Sequence, residues 1–171
     1  MSSDLTDEAL RELLPRLRRF ALFLTRNQPS ADDLVQACLE RALSRIGTRR
    51  TDGDLRAWLF SILYRLFLND RRRAKRYAWM LGFLGREEEP LAQSTEEIVA
   101  ARAALRGFHR LKPEQRALML LVTVEGLSYQ EAAEALDVPI GTIMSRLSRA
   151  RKALRELAEG RVAPPSLRVL K

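Results

Sequence analysis

The ten residues from Arg146 to Arg155 hold five bases and no acid, and helical spacing places Thr142, Ser145, Arg146 and Arg149 on one side. Guanidinium and hydroxyl groups in a row supply hydrogen-bond donors but no activated nucleophile, so their chemistry is recognition of base edges and phosphates, not bond breaking. A second basic concentration runs from Arg65 to Arg76, with six bases and one acid, and Phe60, Tyr64 and Phe67 interrupt the same helical run. Rings stack on unpaired bases at about 1–3 kcal/mol each while cations follow the backbone. Rings at helical spacing also fill cores; Phe60 and Phe67 read as core, and Tyr64 stays open between the two roles. Arg71, Arg72 and Arg73 are adjacent, cannot share one buried face, and must meet solvent or an anion.

No comparable constellation exists for catalysis. The sequence has no glycine-rich phosphate loop and no nucleophile elbow, its single histidine, His109, has no evident partner, and the neighbouring Asp32 and Asp33 lack a third group at useful spacing. One cysteine, Cys38, excludes an internal disulfide, and no Cys/His cluster has metal-ligand spacing. No enzymatic activity, cofactor or metal is therefore expected. Lys and Arg number 30 against 22 Asp and Glu, a net charge of +8, which favours polyanionic partners. No apolar run approaches the roughly 20 residues that cross a bilayer, and the start, MSSDLTDEALREL, has neither a basic n-region nor an apolar core. A cytoplasmic protein without membrane insertion is expected.

The elements that must position these residues are helices. Leu10, Leu13, Leu14, Leu17, Phe20, Ala21 and Leu24 recur at three-and-four spacing up to Asn27-Gln28-Pro29. Ser30 with Asp33 predicts the capped start of a second helix that buries Leu34, Cys38 and Ala42, with Val35, Leu39, Leu43 and Ile46 beside them, and breaks at Gly47. Thr51 or Asp52 can cap a third helix through Leu55, Trp58, Leu59, Ile62, Leu63 and Leu66. The composition changes at Tyr77: AWMLGFLG lacks a helical stripe, and Glu87 to Glu97 carries five glutamates, a proline and no base, which reads as a linker. A helix from Ile98 through Phe108 follows, then one opened by Pro113 that buries Leu118, Leu121 and Val122 and stops at Gly126.

The stretch GLSYQEAAEALDVPIGTIMSRLSRARKAL, residues 126–154, then holds a capping box, Ser128 with Glu131, small inward residues at Ala132 and Ala133, Leu136, a tight turn at Asp137-Val138-Pro139, and an inner stripe of Ile143, Leu147, Ala150 and Leu154. That is the pattern of a helix-turn-helix, whose second helix enters the major groove. The expected fold is all-α, with two small helical domains joined by a linker, the C-terminal one a helix-turn-helix. Units this small bury only about 60% of their unfolded surface and lean on partners.

The chain resembles the bacterial RNA polymerase sigma factors of the extracytoplasmic-function class. The resemblance rests on SADDLVQACLERAL (30–43), DLRAWLFSILYRLFLNDRRRAKR (54–76) and LKPEQRALMLLVTVEGLSYQEAAEALDVPIGTIMSRLSRARKAL (111–154). It implies a region 2-like domain over 5–77, a linker over 78–97, a region 4-like helix-turn-helix over 98–158 and a tail over 159–171. It further implies that Asp32, Asp33, Gln36 and Glu40 bind the clamp helices of the core polymerase, which the second domain meets at the flap. Tyr64, Arg65, Asn69, Arg71 and Arg72, with the loop Gly47–Gly53, would take the melted -10 element, and Thr142, Ser145, Arg146 and Arg149 the duplex -35 element. The acidic linker would follow the transcript exit channel, and an anti-sigma protein would hold the factor off, with AWMLGFLG and the tail VAPPSLRVL as added surface. Arg65 stands where the family often has Asn, and Met144 where it often has Lys. Met144 either touches a thymine methyl or fills space. The rival reading is a helix-turn-helix regulator that binds operators without polymerase, and a third is an RNA-binding protein favoured by charge alone.

Overall fold

Backbone N–H groups at helix starts decide where each element begins, and two of the caps differ from those the sequence singles out. In the computed structural model, which describes residues 6–49, 53–80 and 107–158, α1 spans Asp7–Thr25, with the Thr6 hydroxyl accepting from the Ala9 N–H at 3.2 Å. Helix α2, Gln28–Arg45, is capped by Asn27, whose Oδ1 accepts the Ser30 N–H at 2.9 Å. Ser30 thus receives the cap instead of supplying it. Asn27 has the extended backbone a cap requires (φ −141°, ψ 124°), and Pro29 behind it occupies the first turn, where no N–H is needed. A 3₁₀ turn, Ile46–Thr48, follows.

Helix α3 spans Leu55–Met80. Asp54 caps it: its Oδ1 accepts the Arg56 N–H at 2.7 Å, and its carbonyl accepts the Trp58 N–H at 3.1 Å. Thr51 and Asp52, expected in that role, lie outside the described residues. The helix also passes Tyr77, where the linker was expected to begin, because no glycine or proline interrupts Tyr77–Met80; Tyr77, Trp79 and Met80 stand in solvent beyond the core. The remaining linker residues, the tail over 159–171 and all but the last two residues of the helix expected from Ile98 through Phe108 lie outside the described residues.

A helical turn at 107–110 leads into α4, Pro113–Met119, with Pro113 in its first turn, and then into a π-helical turn, Leu120–Val124. Gly126 closes this segment with φ +68°, and the Leu127 N–H reaches back to the Leu121 carbonyl at 2.9 Å. This is the left-handed C-terminal cap that the glycine predicts. Helix α5, Tyr129–Leu136, opens on the expected capping box: the Ser128 hydroxyl accepts the Glu131 N–H at 3.2 Å, and the Glu131 carboxylate accepts the Ser128 N–H at 2.7 Å. It ends at Asp137 in the left-handed region (φ 55°), and α6, Ile140–Ala158, follows the Pro139 turn.

In the first unit Leu17, Phe20, Leu24, Cys38, Leu59, Phe60 and Leu63 are fully buried, and the Phe20 and Phe60 rings meet edge to face at 5.1 Å. Cys38 donates to the Leu59 carbonyl at 3.5 Å, and burial pushes its thiol up to about 12. In the second unit Leu118, Leu121, Ala132, Ile143, Leu147 and Ala150 are buried, while Val122 and Leu154 pack only in part. Leu43 and Ile46 depart from expectation, being 59% and 37% exposed. Leu34, Val35, Cys38 and Ala42 set the inward line of α2, and Leu43 is rotated a further ~100° around the helix from Ala42. The buried residues of both units join in one cluster, with α1 packed on α4 and α3 on α5.

No described atom lies within 4 Å of a Cβ built on Gly126, so Gly126→Ala should suffer only the left-handed backbone penalty of about 1–2 kcal/mol. Removing the neighbouring cap with Ser128→Ala should cost about 1 kcal/mol. Urea unfolding monitored by helical circular dichroism checks both values.

Candidate nucleic-acid interface

The basic stretch of α3 begins where its core contacts end. Phe60 and Phe67 are buried, as expected, and Tyr64 joins them at 3% exposure. Burial and the nearby Glu114 carboxylate push the Tyr64 phenol up to about 12, against the opposing pull of Arg146 and Arg71. One turn beyond Phe67, the Arg71 guanidinium lies 5.7 Å from the Phe67 ring centroid, a cation–π arrangement. Arg65, Asn69 and Arg72 are exposed, and Arg65 approaches the Asp137 carboxylate at 3.9 Å.

On α6 the outward row is formed as expected, opposite Ile143, Leu147 and Ala150. Ser145 donates to the Thr142 carbonyl at 3.1 Å, and Arg149 folds back on Ser145, its Nε 3.3 Å from the Ser145 carbonyl and its Nη2 3.4 Å from the hydroxyl. These are local contacts at an exposed helix edge, and water or a nucleic acid can replace them. Met144 is 58% exposed beside this row, so it does not fill core space. Arg146 is half-buried because it turns toward α3. Tyr64, Arg65, Asn69, Arg71, Arg72 and Lys75 of α3 form one wall, and Glu114, Asp137 and Arg146 the other, of a cleft of about 610 Å³. Arg146 thus shares a cleft with the candidate residues of α3, whereas Thr142, Ser145 and Arg149 do not line it.

The four acidic and amide candidates of α2 are all exposed. Asp32 accepts from Gln28 at 3.0 Å and lies 3.8 Å from the Arg18 guanidinium, and Gln36 donates to Glu40 at 3.0 Å. Leu43 and Ile46 extend this face with exposed apolar surface, which hydrophobic periodicity assigned to the core.

Residues that sequence reasoning passed over hold the two units together. Glu125 is a carboxylate at 1% side-chain exposure, and its partners come from α1 and α3: Arg16 Nε donates to Oε2 at 2.7 Å, Arg19 Nη2 donates to Oε1 at 2.5 Å, and the Glu125 carbonyl accepts Arg16 Nη2 at 3.1 Å and Arg56 Nη1 at 2.8 Å. Arg116, 1% exposed, donates to the carbonyls of His109 at 2.9 Å, Leu111 at 3.2 Å and Leu24 at 3.3 Å. Leu24 lies in the last turn of α1, where outward-facing carbonyls favour a cation. The Phe23 ring meets Phe108 edge to face at 5.5 Å and stacks on His109 at 6.0 Å. An acidic residue inside the apolar run LLVTVEGL was the one signal available. The π-helical turn decides where it points: the Glu125 N–H bonds to the Leu120 carbonyl, five residues back, and this widened register is not predictable from periodicity.

A second cleft, of about 640 Å³, lies between the start of α3 and α5, bounded by Arg49, Asp54, Trp58, Ser61 and Arg65 on one side and by Glu131, Glu134 and Ala135 on the other. Burial works against charge on Asp54, but the Arg56 N–H and guanidinium more than offset it and hold its carboxyl below the usual range. The described residues contain no group of three or more His, Cys, Asp or Glu side chains placed to hold a metal, and none of their helices is long and apolar enough to cross a membrane.

Two family models match the chain: the Sigma2 domain of PhyR over residues 10–64, and Sigma-70 region 4 over residues 102–154. The ECF RNA polymerase sigma factor EcfG of Rhodopseudomonas palustris (strain TIE-1) is 38% identical over 165 residues, covering 92% of this chain and 86% of that protein. The ECF RNA polymerase sigma factor SigM of Mycobacterium tuberculosis is 32% identical over 151 residues, covering 88% and 76%. Among solved structures, the sigma factor RpoE of Bartonella quintana, in complex with the anti-sigma factor NepR, matches with a TM-score of 0.77 and 32% identity, covering 89% of this chain and 95% of that one.

The Asp54 carboxylate contributes stability fully above its unfolded pKa, about 3.9, and the contribution is lost as pH falls through its lowered folded value. The stability difference between the wild type and Asp54→Ala should therefore be largest at neutral pH and narrow below about pH 4. Urea midpoints at pH 7 and pH 3 measure it.

Proposed function

The chain belongs to the extracytoplasmic-function (ECF) RNA polymerase sigma factors, and from that membership we infer that its two basic surfaces divide one promoter between them. As a sigma factor it binds core RNA polymerase, directs it to promoters and assists strand separation at initiation. In the proposed division, the domain over 98–158 reads the -35 element as duplex through Thr142, Ser145, Arg146 and Arg149, with Met144 available to a thymine methyl. The domain over 5–77 takes the melted -10 strand along Arg65, Asn69, Arg71 and Arg72, with Tyr64 available to bases once it is uncovered. The acidic face of α2, Asp32, Asp33, Gln36 and Glu40, docks on the clamp helices of the polymerase, and the exposed Leu43 and Ile46 give that contact an apolar end.

The observation that carries this reading is the outer face of α6, where hydroxyl and guanidinium donors stand clear of the core on the second helix of a capped, tightly turned pair. The rival, an operator-binding regulator without polymerase, is disfavoured by the relatives, which match across both units. An anti-sigma protein is the proposed regulator, because the sigma factor of Bartonella quintana was solved with one and matches this chain over both units. A cytoplasmic location and the absence of an enzymatic activity follow from the same reading.

Run-off transcription with purified core polymerase tests the assignment. Each good bidentate arginine contact to a base is worth about 1–3 kcal/mol, so Arg146→Ala or Arg149→Ala should reduce transcription from a cognate promoter about 5- to 150-fold while core binding, measured by co-elution, is unchanged. If both variants lose polymerase in step with transcription, these arginines belong to the polymerase interface instead.

A further inference from the structure

We propose that Trp79, two turns beyond Arg72, is a base-stacking platform that lengthens the single-strand surface of α3 past the residues assigned to the -10 element. The proposal rests on the sigma-factor reading for the identity of the strand, the melted promoter strand, and on the surface of α3 for the stacking itself.

Helix α3 continues well past its core. Phe67 is its last buried residue, yet the helix runs on to Met80, more than three further turns. At ~100° per residue, Arg65, Asn69, Arg72, Arg76 and Trp79 fall within about 80° of the helix surface, and all five are exposed. One stripe therefore carries three guanidinium groups and ends on an indole ring that is 80% open to solvent. The stretch Arg71–Arg76 reads RRRAKR, with no acid to compete for phosphates.

Cations one and two turns before the ring draw a polyanion along the helix toward it. Trp79 lies about 10 Å along the axis from Arg72 at ~1.5 Å per residue, so a strand held at Arg72 reaches the ring within about three nucleotides at ~3.4 Å each. Unpaired bases carried there meet a flat aromatic face, which stacks on any base regardless of sequence. Tyr77 provides the contrast. Its ring is 65% exposed, but it lies about 160° around the helix from Trp79, beside Arg73 and Met80 and off the stripe. The platform is set by alignment with the guanidinium row, which Tyr77 lacks.

The test uses the full chain with a labelled oligo(dT) of about 12 nucleotides, followed by fluorescence anisotropy and by tryptophan emission. Trp58, the chain's other tryptophan, is half-buried near Arg49 and serves as the internal reference. Oligo(dT) should quench the wild-type emission, and Trp79→Ala should weaken binding about 5- to 150-fold with helical circular dichroism unchanged. Trp79→Phe keeps a ring and should retain most of the affinity while losing the quenched signal. Trp79→Leu keeps apolar surface without a π-face and should bind as weakly as the alanine variant. Tyr77→Ala should bind like the wild type. An abasic strand of the same length keeps the phosphates, so the wild type should bind it more weakly than oligo(dT), and Trp79→Ala should narrow that difference. An unquenched wild type, an unchanged Trp79→Ala affinity, a Trp79→Leu variant that binds like the wild type, or equal losses in Trp79→Ala and Tyr77→Ala would each overturn the platform. Failure of the wild type to initiate transcription with core polymerase would instead sink the sigma-factor reading and leave the oligo(dT) result standing.

Discussion

A single carboxylate, Glu125, organises the contact between two units that are each too small to bury much surface alone. It sits at the end of a π-helical turn, at 1% exposure, against arginines from two helices of the other unit. Burial in such a place is costly for a charge without partners, so where Glu125 goes, α1 and α3 must supply guanidinium groups. The hydrophobic cluster that runs through both units follows from that registration. Phe23 then meets Phe108 and His109, Arg116 meets the C-terminal end of α1, and α5 is laid along α3.

The same constraint gives the basic residues two environments. With the units packed together Arg65 has Asp137 and Arg146 leans toward Tyr64, while Arg71 lies near the Phe67 ring of its own helix. These partners are weak individually, being half-exposed ion pairs or cation–π contacts, and a polyanion offers the same arginines stronger and more numerous acceptors. The outer edge of α6 differs, because Ser145 and Arg149 remain on the surface and the packing leaves them accessible. The surface proposed to read duplex and the one proposed to hold the melted strand are therefore unequally accessible in this arrangement.

Local signals in the sequence were sufficient wherever a helix end was set by its own residues. The Ser128–Glu131 box, the left-handed Gly126 and the inward line Ile143, Leu147 and Ala150 were all legible, because each depends on spacing within one or two turns. Caps were misplaced at two starts: Asn27, with its extended backbone, takes the role expected of Ser30, and Asp54 starts α3. Periodicity put Leu43 and Ile46 inside, since it identifies apolar residues but not which of two adjacent lines faces a neighbour. The candidate site was legible as two basic faces. That Arg146 shares a cleft with the α3 residues was not, because the packing of the two units involves Glu125, Arg16 and Arg19, with Glu125 more than a hundred positions from the two arginines.

In the proposed division of the promoter, two units that pack together in this structure must separate to hold both elements. Spin labels placed on exposed positions of α3 and α6 would measure it directly, by pulsed dipolar distance measurement on the free chain and on the holoenzyme bound to promoter DNA. A short, narrow distance distribution is expected for the free chain, replaced by a long one, several tens of ångströms greater, on the promoter complex. A distance that stays short when promoter DNA is engaged, or is already long in the free protein, would contradict it.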